Sequence, residues 1–146
     1  MQITSTAFPN YGSIPAKYTG FGSNINPPLN IEELPEGTES LAIVVNDPDA
    51  PSGSWIHWLV WNIDATNPII EENSIPSGSV EGTTGFDKIG YDGPCPPSGT
   101  HHYHFIVYAL SSRLNLESGA DKHALQSAMT GKILDQEEII GTYQRQ

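Results

Sequence analysis

Two runs in this chain carry apolar side chains at both alternate positions, and that restricts where each can sit. Residues 55 to 63 place Trp55, His57, Leu59, Trp61 and Ile63 on one parity and Ile56, Trp58 and Val60 on the other. Residues 101 to 110 set His101, Tyr103, Phe105 and Val107 against His102, His104, Ile106 and Tyr108. Successive side chains of a strand point to opposite faces, so strands of this composition need cover on both sides and belong in the middle of a sheet. A third run, residues 40 to 46, is rich in β-branched residues and closes on the turn signal Asn46-Asp47-Pro48.

Glycine and proline, 14 and 12 of 146 residues, punctuate the chain without a fixed period or a low-complexity tract. This favours a mainly β domain, and the length fits one domain over residues 1 to 146. One short helix is predicted over residues 120 to 129. Ala124, Leu125, Ala128 and Met129 fall at helical spacing there, after Ser118 or Asp121 as cap and before Gly131. Residues 138 to 143 read as a last strand. Residues 9 to 37, interrupted by Pro15, Pro27, Pro28 and Pro35, read as extended segments that wrap the fold and supply no central strand.

Six basic residues against seventeen acidic ones give a formal charge of -11, which repels nucleic acid and anionic lipid surfaces at long range. Neither nucleic-acid binding nor stable membrane association is expected. No apolar run approaches the ~20 residues that span a bilayer, and the first residues lack the basic-then-apolar pattern of a signal peptide. One cysteine, Cys95, allows no internal disulfide. The default expectation is therefore a cytoplasmic protein.

Four of the five histidines stand where a proline-rich acidic loop enters one of the two long strands. Asp47-Pro48-Asp49-Ala50-Pro51-Ser52-Gly53-Ser54 leads to His57; Tyr91-Asp92-Gly93-Pro94-Cys95-Pro96-Pro97-Ser98-Gly99 leads to His101, His102 and His104. A histidine on a strand is more often a hydrogen-bonded core residue than a functional one. Here Asp47 or Asp49 can accept a proton from one nitrogen of His57 and fix its tautomer, leaving the other nitrogen free to face a cavity. With His101 and Tyr103 on a neighbouring strand, two imidazoles, a phenol and loop N–H groups make a donor-rich pocket for a phosphate or carboxylate oxygen.

Other chemistries fit these residues less well. A metal site could draw on His101 or His102 with His104 and an aspartate, but the regular zinc spacings are absent. A hydrolase lacks G-x-S-x-G, and Ser52, Ser54 and Ser98 are ordinary turn residues. Cys95 with His101 could form a thiol–imidazole pair, against the plainer reading of a small residue locked between prolines. No metal, cofactor or catalytic residue is expected.

The two loop-strand segments carry a resemblance. Asp47-Pro48-Asp49-Ala50-Pro51, Trp55-x-His57-Trp58 and Gly93-Pro94-Cys95-Pro96-Pro97-x-Gly99-Thr100-His101-x-Tyr103-x-Phe105 are similar to motifs of the phosphatidylethanolamine-binding protein family, in its bacterial and archaeal Raf-kinase-inhibitor-like branch. Ile14-Pro15-Ala16-Lys17-Tyr18-Thr19, Gly22-x-Asn24-x-x-Pro27-Pro28-Leu29 and Gly141-Thr142-Tyr143 extend the likeness nearly end to end. The resemblance implies an antiparallel β-sandwich with one or a few short peripheral helices and an anion pocket at one end. It places Asp47, His57, His101, Tyr103 and Pro97 at that pocket, with Pro48, Asp49, Gly93 and Gly99 in its supporting loops. The Asp-Pro bond of the first loop is then a candidate cis peptide.

His102 stands where the family usually has arginine, residues 84 to 87 depart from the usual Asn-Asp-Phe-Gly, and Lys132 replaces a common histidine, differences that the resemblance sets at the pocket rim and not at its floor. The function this implies is non-enzymatic binding of phosphate or a phosphorylated headgroup, in a regulatory protein that is a monomer or homodimer. Two alternatives stand beside it: an inhibitor of a kinase or serine protease acting through its surface, and a weak hydrolase using Asp47 and His57 as an acid–base pair. If protonated imidazoles attract the anion, affinity should weaken as pH rises through ~6.5.

Overall fold

Residues 55 to 64 and 100 to 110 form central strands, as their two-sided apolar pattern demands, and residues 40 to 47 form the strand between them. The computed structural model describes residues 1–145, which build two sheets. In chain order the strands are β1 (Gln2–Thr4), β2 (Gly12–Ser13), β3 (Leu29–Glu32), β4 (Ser40–Asp47), β5 (Trp55–Asp64), β6 (Ile69–Ile70), β7 (Val80–Glu81), β8 (Thr100–Leu110) and β9 (Ile133–Gln144). The large sheet runs β2-β9-β8-β4-β5-β7 and the small one β1-β3-β6. All pairings are antiparallel except β2 with β9.

Each face of the large sheet has its own core. The inner face packs Ile43, Val45, Trp58, Val60, Tyr103, Phe105 and Val107 against Ile3, Leu29, Ile31 and Ile70 of the small sheet. The outer face buries Ala42, Val44, Leu59, Trp61 and Leu110 beneath Leu114, Leu125 and Met129. The last two belong to the helix α1 (Lys122–Met129), whose N-cap Asp121 accepts a hydrogen bond from the Ala124 N–H at 2.9 Å. Between the two candidate caps, the structure selects Asp121 over Ser118. Removing such large side chains from water stabilises the fold by roughly 1.5–3 kcal/mol each, which explains why so glycine-rich a chain can hold two layers over one sheet.

The alternation holds along β8 and breaks along β5. Two irregularities interrupt the pairing of β4 with β5, one between Leu41 and Ile43 and one between Val45 and Asn46. At the first, Asn62 adopts φ 59, the left-handed region that asparagine tolerates, and Ile63 turns into the inner core with Val60. At the second, Val45 pairs with Trp58 and Asn46 with Ile56, so His57 is the extra residue of a bulge. Ile56 then faces the outer core, while His57 shares the inner side with Tyr103 at 5.2 Å between ring centroids. The simple parity that grouped His57 with Leu59 and Trp61 is thereby corrected, because a bulge reverses the facing of everything beyond it.

Three further expectations change. Residues 29 to 32, immediately after Pro27-Pro28, do form a central strand, though only of the three-stranded sheet. The first loop contains no cis peptide, nor does any other described segment. It makes its turn through the Asp47 side chain, whose Oδ1 accepts the Asp49 N–H at 2.8 Å. The last strand is longer than read from sequence, running from Ile133.

Candidate functional site

At the end of the large sheet where β4 runs into the first loop and β8 leaves the second, the chain encloses a cavity of about 260 Å³. Asp47, His57, His101 and Tyr103 form its polar part, and Trp55, Phe86, Pro51, Cys95, Pro96 and Pro97 are among its walls. The four polar residues are all buried. Asp49 and Gly93 belong to the loops and do not line the cavity.

The imidazole partners differ from the expected ones. Asp47 turns to His101, whose Nδ1–H donates to its Oδ2 at 2.6 Å. His57 Nδ1 instead lies 2.6 Å from the carbonyl of Asp92. A carbonyl only accepts, so Nδ1 carries the proton and, in the neutral ring, Nε2 keeps its lone pair. Burial holds the His57 pKa below the usual histidine value, opposed by the Asp92 carbonyl and the charge of Asp47. Sequence separation concealed this swap, since Asp47 meets His101 across the β4–β8 seam.

Among the cavity residues the indole Nε1 of Trp55 is left without a partner, and so is the hydroxyl of Tyr103. This hydroxyl is buried in the cavity wall and has no well-formed hydrogen bond, with the Cys95 backbone and Asp47 nearby. Burial, then the negative charge of Asp47, pushes its pKa far up, so it serves as an O–H donor. Most buried polar groups find partners, and one that does not, at a cavity, is suited to a ligand oxygen.

Both loops are fastened from outside. The Asp92 N–H donates to the His57 carbonyl at 3.0 Å, which clamps the second loop to β5 from both of His57's backbone and ring atoms. Asn24 bridges the same loop, donating to Asp92 Oδ1 and accepting from the Gly93 N–H, each at 2.8 Å. Gly93 packs so closely that a Cβ would lie 2.1 Å from the Tyr18 carbonyl oxygen. Gly99 is required for a different reason: its φ of +70 favours glycine although nothing crowds it. The Pro97 carbonyl accepts from Arg145 Nη1 at 3.2 Å.

His102 and His104 point away, onto the outer face. His102 donates twice to Asp49 Oδ2, from its backbone N–H and its Nδ1, both at 2.8 Å. His104 Nδ1 meets Glu138 at 3.0 Å. The place where the family usually carries arginine thus keeps an acidic partner, and Asp49 is held below the usual carboxylate range first by the His102 ring and next by its N–H. Trp55 and Phe86 line the cavity without having been expected as ligand contacts, although the resemblance set residues 84 to 87 at the pocket rim. Phe86 comes from the turn at residues 84 to 87 and stacks edge-on against both Trp55 and His57 at 5.4 Å. Nothing in local pattern signals that this turn reaches β5.

A sandwich of this topology, with an imidazole–carboxylate pair and a phenol at one end, defines a class. The family model for phosphatidylethanolamine-binding protein matches residues 4–144, and the chain belongs to that family. It is 47% identical to a UPF0098 protein of Pyrococcus horikoshii over 97% of this chain and 75% of that one. A UPF0098 protein of Methanothermobacter thermautotrophicus is 44% identical over 99% of both chains. Among solved structures, a phosphatidylethanolamine-binding protein homologue from Chlamydia trachomatis superposes with a TM-score of 0.95 at 39% identity, covering 99% of this chain and 97% of that one. Escherichia coli YbcL superposes with a TM-score of 0.93 at 31% identity, covering 99% and 98%. No helix among the described residues is long and apolar enough to cross a membrane.

Proposed function

We propose that this protein binds a small anion, phosphate or a phosphorylated headgroup, without turning it over, and that binding serves regulation. The observation that carries this reading is the unpartnered Tyr103 hydroxyl facing the same cavity as His57 and His101. A phosphoryl oxygen supplies the acceptor that the phenol lacks, and each imidazole adds an Nε2–H donor once protonated. The apolar walls of Trp55, Phe86 and the prolines suit a short organic substituent on the anion. At about 260 Å³ the cavity is smaller than the ~300–1,000 Å³ of drug-sized sites, which favours a headgroup over a whole lipid.

The hydrolase alternative loses support, because Asp47 is committed to His101 and His57 to the Asp92 carbonyl. No acid–base pair of Asp47 with His57 is assembled. Action on a kinase or protease, and assembly as a monomer or homodimer, are compatible with the fold and carried by no residue of the cavity. Calorimetry with inorganic phosphate and phosphoethanolamine on wild type and His57→Ala tests the anion reading. Binding heat that is reduced or lost in the variant supports it; an absence of heat in both proteins refutes it.

A further inference from the structure

Cys95 is the one cysteine of the chain, exposed and unpaired, and it shares the cavity wall with His57, His101 and Tyr103. Its place is fixed from several sides. The Gly20 N–H donates to the Pro94 carbonyl at 2.8 Å, and a Cβ on Gly20 would come within 3.3 Å of the Cys95 sulfur. Pro94 and Pro96 restrict the backbone on either side. Cys95 is therefore held in the cavity wall, with its sulfur on the side of Gly20.

An exposed thiol alone would signify little. The second observation is the Tyr103 hydroxyl, wholly buried, unpartnered and beside the Cys95 backbone. An oxyanion taken up by that hydroxyl and the imidazoles would lie in the cavity whose wall Cys95 helps to form. A molecule that carries both an anionic group and a group reactive toward thiolate can engage both at once.

We infer that Cys95 is a thiol-modification site selective for small disulfides bearing an anionic group, and that its modification closes the cavity. This rests on the anion-binding reading of the same cavity. The Cys95 thiolate attacks one sulfur of the reagent, forming a new S–S bond while the reagent's own S–S bond breaks. The departing half leaves as a thiolate and takes a proton from water. The disulfide is itself the oxidant: the Cys95 sulfur is oxidised and the departing sulfur reduced. The half that stays attached occupies the space where phosphate would bind.

The charge of the chain gives this site a signature. At a net charge of -11, an ordinary surface thiol reacts more slowly with an anionic disulfide than with a neutral one of similar length. Selective capture in the cavity reverses that order.

The test uses the full chain with dithiodipropionate and, separately, bis(2-hydroxyethyl) disulfide, following mixed-disulfide formation by intact-mass spectrometry at low ionic strength. The expected result is a rate about fivefold or more faster for the anionic reagent, suppressed by inorganic phosphate, reduced in His57→Ala and absent in Cys95→Ser. The modified protein should give no phosphate heat. A neutral reagent that reacts as fast or faster overturns the proposal. Phosphate calorimetry on unmodified protein tells the two readings apart. Heat without preference for the anionic disulfide removes the Cys95 site alone, whereas no heat removes the anion cavity and the Cys95 site with it.

Discussion

Asp47 Oδ2 and His101 Nδ1 lie 2.6 Å apart, both side chains buried, at the point where β4 and β8 cease to be paired directly. The contact closes the sheet's end where backbone hydrogen bonds stop. Removing one partner of a buried pair strands the other without its hydrogen bond. His101→Ala and Asp47→Ala should each lower stability by about 3 kcal/mol in urea titrations. The double variant should recover part of the sum, and purely additive losses would show that the contact carries no energy.

His57 determines the pH dependence. Its pKa is depressed in the folded protein, so folding favours the neutral ring. Its contribution to stability is fully present above the unfolded value near ~6.5 and is lost as pH falls through the lower folded value. His57→Gln should flatten that acid limb. Phosphate affinity should run the other way, rising as the pH falls below ~6.5, because protonation adds an Nε2–H donor. The transition belongs below the ordinary histidine midpoint, and an imidazole NMR titration with and without phosphate measures it directly. Affinity that stays constant from pH 8 to 5 would exclude a role for the charged ring.

Gly93 and Gly99 separate crowding from backbone conformation. Gly93→Ala drives a methyl into the Tyr18 backbone carbonyl and shifts the loop that carries the Asp92 carbonyl. It should destabilise by about 2–3 kcal/mol and weaken phosphate binding. Gly99→Ala meets open space at a positive φ, and should cost about 1 kcal/mol while leaving binding nearly intact. Thermal melts paired with calorimetry distinguish the two patterns.

Asp49 and His102 form an exposed pair on the outer face, with side-chain exposures of 42% and 44%. Solvent screening limits its worth, so His102→Ala should change stability by less than about 1 kcal/mol. The depressed pKa of Asp49 contributes stability above the unfolded carboxylate value near ~3.9, lost as pH falls through the lower folded value. Carboxyl-carbon NMR should find the Asp49 midpoint moving up toward the ordinary value in His102→Ala. An unmoved midpoint would remove His102 as its cause.

What could be read in advance follows how local each feature is. The alternation of β8 was legible because its register against β4 is regular, and it put His101 and Tyr103 on one face. The helix was legible because Asp121, Leu125 and Met129 lie within three turns of one another. The bulge at His57 was not, since it is a property of β5 measured against β4. The partner of Asp47 was hidden for the same reason, being 54 positions away across a seam. Periodicity could not place Phe86, because a turn of four residues has none to reveal what it covers; only the resemblance set it at the pocket rim.

β8 is hydrogen-bonded to β9 along its whole length and to β4 from His104 onward, which makes it the spine of the large sheet. Two of the cavity's polar groups are therefore also structural members. Any change at His101 or Tyr103 bears on folding as well as on the proposed binding. The cavity walls supplied by residues 50 to 52, 86 and 95 to 97 lie outside the strands. Ligand preference in proteins of this shape can diverge through those loops while the floor stays as it is.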